Sequence, residues 1–275
     1  MISFVADCTL SGATIVCTIA KMTDSKAKDI AKQRPARTGL ARAMSKLGYC
    51  SRSAAQNLIT EGRVRLNGRT VRDPEAPVRL NNDEIEVDRN RIASAIKTYL
   101  MMNKPRGLVT TAQDEKGRQT VYSLLPTNQQ WLAPVGRLDK ATEGLLLLTN
   151  DSQWSARITA PESHMPKTYH VQISAQFDEP MLAQLTAGGY ESGKRLRAQE
   201  AKILRHGEKN CWIEIVLTEG KNRHIRRMLA AMDTEVLRLV RVAIGNLQLG
   251  DLPKGKVREL TQHEVKALGG AGKNV

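Results

Sequence analysis

The segment Gly136-Arg137-Leu138-Asp139-Lys140-Ala141-Thr142-Glu143-Gly144, followed at once by Leu145-Leu146-Leu147-Leu148, constrains this chain more than any other. Four consecutive leucines present no polar face to water, so they can only be core. The loop before them is polar, bracketed by glycines, and carries the acid Asp139 between two cations, Arg137 and Lys140. A carboxylate on a loop whose continuation is anchored in the interior is held more firmly than one on a free surface loop. Asp139 could pair with Arg137 or cap a turn, as most loop aspartates do, or it could do chemistry.

Charge narrows the choice of partner. The chain has 275 residues, a formal charge of +14 and a pI near 9.8, which point to a polyanion, with nucleic acid ahead of a membrane surface. The length suits one large domain or a catalytic domain with a small companion. Cys8, Cys17, Cys50 and Cys211 are scattered, with no C-x-x-C pair and no H-E-x-x-H elsewhere. They read as thiols in a reducing cytoplasm, and no metal or other cofactor is expected. Residues 1–21 are moderately apolar but broken by Asp7, Cys8, Ser11 and Gly12, and no basic residues precede them. Neither a signal peptide nor a membrane span fits. We expect residues 1–37 to be a disordered, basic extension in which Met22 looks like a natural start.

From Leu40 a small module begins. Leu40, Met44 and Leu47 fall on one face of a short helix that Gly48 stops. Ser51 or Ser53 can cap a second helix carrying Ala55, Leu58 and Ile59, which Gly62 ends. Val64-Arg65-Leu66 alternates, Asn67-Gly68 signals a type I′ hairpin, and another strand follows at Ile85–Val87. From Arg34 to Arg72 nine cations stand against one acid, Glu61. A patch of that kind holds phosphates with little sequence choice.

The rest, residues 97–268, reads as an α+β unit, with a tail at 269–275. A strand at Tyr99–Met102 runs into the turn Asn103-Lys104-Pro105-Arg106-Gly107, which should display Lys104 and Arg106 either to phosphate or merely to solvent. Lys167 to Ile173 alternates, with Tyr169, Val171 and Ile173 on one face. In Gly220-Lys221-Asn222-Arg223-His224-Ile225-Arg226-Arg227-Met228-Leu229 a helix starts after a glycine turn. At about 100° per residue Arg226 falls at the edge of its apolar face, while Arg223 and Arg227 point away. Five cations or potential cations (Lys221, Arg223, His224, Arg226, Arg227) crowd a helix start, where the macrodipole disfavours them. An anionic partner would explain that.

Leu40–Ala55 and Ile59–Gly68 resemble the S4 RNA-binding domain, which implies a module over residues 38–90 that binds structured RNA. Together the Asp139 loop, Lys167-x-Tyr169, Gly220-Lys221-Asn222-Arg223-x-x-Arg226-Arg227 and Asn103-Lys104-Pro105-x-Gly107 resemble the pseudouridine synthases. Among these the likeness is to the RsuA family of bacterial ribosomal RNA enzymes, which join an S4 domain to a catalytic domain. The resemblance implies an S4-type helix-helix-hairpin domain followed by a mixed, largely antiparallel sheet flanked by helices. It implies Asp139 as the catalytic aspartate, Tyr169 as the ring that stacks on the target base, and Arg226, with Arg223 as competitor, as the arginine that pairs with the aspartate. RNA contacts are expected from Arg42, Lys46, Arg52, Arg63, Arg65, Arg69, Lys104, Arg137, Lys167, Asn222 and Arg223.

Those residue types suit the reaction. Moving uracil from its nitrogen bond to a carbon bond on the same ribose needs no redox partner, energy source or metal. A carboxylate can act at the sugar as nucleophile or base. An arginine can hold it, and an aromatic ring can receive a base that has left its stack. The expected partner is ribosomal RNA, met by a cytoplasmic monomer with no membrane contact. Asp114-x-x-Gly117-Arg118-x-Thr120-Val121 leans toward the large-subunit 23S RNA over the 16S. The competing class is a non-catalytic S4-type RNA-binding or ribosome-assembly factor, which would gain nothing from an acid that repels phosphate. An aspartyl hydrolase would want further acids near Asp139, and only Glu143 and Asp151 lie close in sequence.

Overall fold

The computed structural model describes residues 37–111, 117–126, 130–191 and 193–269. The expected extension up to residue 36, with Cys8 and Cys17, lies outside the described residues, as do Asp114 and the tail from residue 270.

Local signals account for the first module. Helix α1 (Leu40–Lys46) and helix α2 (Arg52–Thr60) pack with strand β1 (Val64–Leu66) and strand β3 (Ile85–Val87) around Leu40, Met44, Ile59 and Val64, all fully buried. Between these, β2 (Arg69–Thr70) pairs with β1, and Asn67 and Gly68 both take positive φ in the turn, as a type I′ hairpin requires. Of the two candidate caps, Ser51 holds the start of α2 by accepting from the Ala54 N–H at 3.1 Å.

The larger unit is built on a nine-stranded sheet. Its strands are β4 (Tyr99–Lys104), β5 (Ala133–Val135), β6 (Glu143–Thr149), β7 (Lys167–Ile173), β8 (Glu200–His206), β9 (Cys211–Leu217), β10 (Val236–Ile244) and β11 (Val257–Glu259), with Leu247–Gln248 added beside β10. The order is β8-β9-β7-β10-β6-β4-β11, and every pairing is antiparallel except β10 with β6. The α+β arrangement and the mixed, largely antiparallel sheet are as the sequence led us to expect.

The leucine run is the middle of β6 and is covered on both faces. Leu146 and Leu148 join Leu100, Met102 and Leu138 on one side, while Leu145 and Leu147 join Trp154, Ile158 and Leu268 on the other. Each buried leucine contributes roughly 1.5–3 kcal/mol, so the strand that follows the Asp139 loop is firmly fixed. Helix α3 (Ser152–Thr159), capped by Asp151, and helix α6 (Gln262–Gly269), with its Thr261–Glu264 capping box, supply the second of those layers. Helix α4 (Glu179–Ala187) and helix α5 (His224–Ala230) cover the first face over β7 and β9, where Val171, Ile213, Leu185 and Leu229 meet. Among the described residues no helix is long and apolar enough to cross a membrane.

One irregularity positions the site. Strand β10 pairs with β6 only at Val240–Glu143 and Arg241–Gly144, and β5 takes over that edge from Leu147 onward. Between the two, the Leu145 carbonyl accepts from Arg241 Nε at 2.8 Å instead of from a strand. The sheet is split there, and the loop joining β5 to β6, residues 136–142, rises beside the split.

Candidate active site

The main chain of that loop is tied at every carbonyl from Leu138 to Thr142. Leu138 accepts from Thr110 Oγ1 at 2.8 Å, and Lys140 from the Gly107 N–H at 2.8 Å. Asp139 accepts from the Thr142 N–H at 3.0 Å and from Lys104 Nζ at 3.3 Å. Ala141 accepts from Arg226 Nη2 at 3.3 Å, and Thr142 from Lys104 Nζ at 2.8 Å. The Asp139 carboxylate itself, half-buried, makes no hydrogen bond or ion pair among the described residues. A fixed backbone thus carries an uncommitted acid.

Lys104 corrects the sequence reading. It is not displayed on its turn but is fully buried, and its ammonium donates to the Pro105, Asp139 and Thr142 carbonyls. Burial pushes its pKa down to about 8, against the pull of Glu143 and Asp139. It cannot contact RNA there; its work is to bind both ends of the Asp139 turn. Of the two cations expected on display, only Arg106 is exposed.

Tyr169 and Arg226 both converge on the loop. The Tyr169 ring packs against both hydrophobic clusters of that face of the sheet, one of them containing Leu138. Arg226 is half-buried and is anchored by Val236 and Ala141 carbonyls, with its Nε buried and unpartnered. Burial and Arg223 loosen its proton, Asp139 opposes them, and Arg106 adds to the loosening. It therefore feels the Asp139 charge without a direct ion pair to it, because two carbonyls hold the guanidinium. Its competitor Arg223 is exposed, in a left-handed conformation at the cap of α5. Arg226 is the arginine that reaches the loop.

Two residues where the sheet splits were announced by no local pattern. Gly144 has φ +101°, and a Cβ there would lie 2.2 Å from the Arg241 carbonyl oxygen. Arg241, opposite Tyr169 in the neighbouring strand, is buried with Nη2 unpartnered. Beside it, Lys167 is partly buried, its pKa pushed down to about 8 by burial and by the Arg241 charge. The two acids nearest Asp139 in sequence are committed elsewhere: Glu143 to Arg238 and Lys254, Asp151 to the α3 cap and Tyr99.

The predicted RNA contacts divide into groups. Arg137, Asn222, Arg223, Arg42, Arg52 and Arg69 are exposed, and Lys46 and Lys167 are half-exposed. Arg63 is engaged by Asp88 at 2.6 and 2.9 Å and by Glu61, and Arg65 by Glu86 at 3.4 Å. The lopsided charge count stopped at Arg72, ahead of the acids that fold back onto these strands. His224, counted with the cations of α5, is buried with both ring nitrogens unpartnered, and burial pushes its pKa down to about 4. It is neutral at physiological pH.

Residues 98–231 match the RNA pseudouridylate synthase family, and residues 38–85 match the S4 domain. The chain is 37% identical over 241 residues to the ribosomal large subunit pseudouridine synthase B of Bacillus subtilis, covering 86% of this chain and 98% of that protein. The chain belongs to the RsuA family of pseudouridine synthases. It is also 37% identical to an uncharacterized RNA pseudouridine synthase of Aquifex aeolicus, covering 82% of this chain and 91% of that one. A crystal structure of a pseudouridylate synthase superposes with a TM-score of 0.60 at 31% identity, over 84% of this chain and 99% of that chain. As a pseudouridine synthase the protein is an isomerase acting on RNA.

Proposed function

We propose that the protein isomerises one uridine of ribosomal RNA to pseudouridine, in the large-subunit 23S RNA rather than the 16S, with Asp139 as its catalytic carboxylate. The observation that carries this reading is the loop: five consecutive carbonyls are satisfied while the carboxylate they position is left uncommitted. Groups held this way react without reorganising. The large-subunit preference is supported by the Bacillus subtilis relative's name.

In this reading the target nucleotide leaves its stack, and its base lies against Tyr169, whose ring is braced from both sides. The N1–C1′ bond breaks and the C5–C1′ bond forms. The proton displaced from C5 is balanced by one taken up at N1, so the product is an isomer and nothing else is consumed. The Asp139 carboxylate faces the sugar as nucleophile at C1′ or as base, and both roles use the ionised form. Arg226 acts as a positioning residue through the Ala141 carbonyl. The exposed S4 arginines and Arg137, Arg223 and Asn222 meet the backbone of the RNA. The enzyme works as a monomer in the cytoplasm.

Asp139→Asn tests the assignment. Turnover on ribosomal RNA transcripts should vanish while RNA affinity stays within a few-fold, and appreciable pseudouridine formation by that variant would sink it. Mapping pseudouridine in both ribosomal RNAs of a strain lacking the protein should show one missing site, in the 23S RNA.

A further inference from the structure

The face of the sheet turned away from Asp139 carries a concave site. Side chains alternate along a strand, so His170 points away from the Tyr169 side, as does its cross-strand partner Glu214. Over β6 and β4 this far face is covered by α3 and α6. Over β8, β9, β7 and β10 it holds a cavity of about 320 Å³ whose lining includes Leu204, Arg205, Trp212, Arg238, Val240 and Val242. That volume is at the small end of the roughly 300–1,000 Å³ of ligand sites, the size for one nucleotide and no more.

Its chemistry is aromatic, aliphatic and cationic. The guanidinium of Arg205 lies 5.1 Å from the Trp212 ring centroid and that of Arg238 lies 5.8 Å from it. Arg238 is fixed, bonded to both Glu143 oxygens at 2.9 and 3.1 Å. Arg205 has no carboxylate partner among the described residues and is exposed on the edge strand β8. Of the acids nearby, Glu143 is paired with Arg238 and Lys254, and Glu214 is paired with Lys202 and hydrogen-bonded to His170. The surplus charge around the cavity is therefore positive. Val240 and Val242 line one end of it, and Leu204, on the edge strand at the other, is 39% exposed.

We infer that this cavity binds one nucleotide of a single-stranded stretch flanking the target uridine, its base against Trp212 and the valines and its phosphate on Arg205. This rests on the reading that the substrate is RNA. A protein partner would need about 800 Å² of continuous surface on each side, whereas this is an isolated nucleotide-sized hollow ringed by cations. Ring stacking beside a cation is how single strands are held without sequence choice.

The test uses the full chain with two variants, Arg205→Glu and Trp212→Ala, and a labelled single-stranded oligouridylate as the binding partner. Arg205→Glu, at an exposed position, should keep the wild-type circular dichroism spectrum and bind the oligouridylate about tenfold more weakly. On ribosomal RNA its loss should fall on KM, not kcat. Photocrosslinks from a thiouridine-labelled strand should map to the peptide containing Trp212 and disappear in both variants. Wild-type affinity and KM in Arg205→Glu, or crosslinks confined to the S4 module and the Asp139 side, would overturn the site. The second pattern would leave this face to a protein partner. Either result with turnover intact leaves the Asp139 reading standing. A wild-type protein that makes no pseudouridine in any ribosomal RNA would overturn that reading instead, and the affinity and crosslinking results would still decide this site.

Discussion

The Asp139 loop and the basic face of the S4 module are built on opposite plans. In the loop the backbone is tied at each carbonyl from Leu138 to Thr142 and the functional side chain is left unattached. In the S4 module the backbone is ordinary helix and hairpin, and it is the side chains that vary from exposed Arg42 and Arg52 to ion-paired Arg63. Bond rearrangement at one sugar carbon needs a group placed within a fraction of an ångström. Holding a polyanion needs only positive charge at the surface. Substitutions should therefore hurt the two regions differently: in the loop through buried scaffold residues, in the S4 module only through exposed charge.

The largest effect is expected at Gly144. Alanine there would need a φ near +101° and would place its Cβ 2.2 Å from the Arg241 carbonyl, a backbone atom that cannot rotate away. A loss above about 4 kcal/mol is expected, a large share of a stability of about 5–15 kcal/mol. Urea unfolding should show it. A Gly144→Ala protein of wild-type stability would mean that the sheet split does not fix the loop.

Lys104→Met comes next and separates scaffold from binding. The substitution keeps most of the volume but leaves the Pro105, Asp139 and Thr142 carbonyls without their shared donor. A loop displaced by about 1 Å costs on the order of 100-fold in rate, so kcat should fall by that order. RNA affinity should stay within about twofold, since the ammonium is fully buried. If affinity fell and kcat held, Lys104 would be an RNA contact after all.

What could be read from the sequence follows the same division. The leucine run, the Ser51 cap and the Asn67-Gly68 turn are local, and each folds as its neighbours dictate. Asp139 stood out because a polar loop met a run that could only be core. Lys104 did not stand out as a buried group. The Asp139 and Thr142 carbonyls it binds lie more than thirty residues away in sequence, and a lysine in a Pro-Gly turn looks like any exposed one. Gly144 and Arg241 depend on where two distant strands part company, which no periodicity records. The ion pairs of Arg63 and Arg65 were hidden for a related reason, since Asp88 and Glu86 come from the strand that pairs alongside and its end.

The smallest effects should come from the S4 face, and there the two kinds of arginine can be set against each other. Arg42 and Arg52 are exposed and without ion pairs among the described residues, so Arg42→Glu with Arg52→Glu should weaken RNA binding about tenfold and lower its salt dependence by roughly one phosphate contact per residue. Arg63→Gln should change affinity by less than about twofold, because both Asp88 oxygens already occupy its guanidinium. Titrations at two salt concentrations separate these outcomes. Should Arg63→Gln prove as costly as the exposed pair, its carboxylate partners must give way to phosphate when RNA arrives. Arg63 and Arg65 would then return to the RNA-binding face, and the S4 module, like the catalytic loop, would depend on a pre-set arrangement and not on surface charge alone.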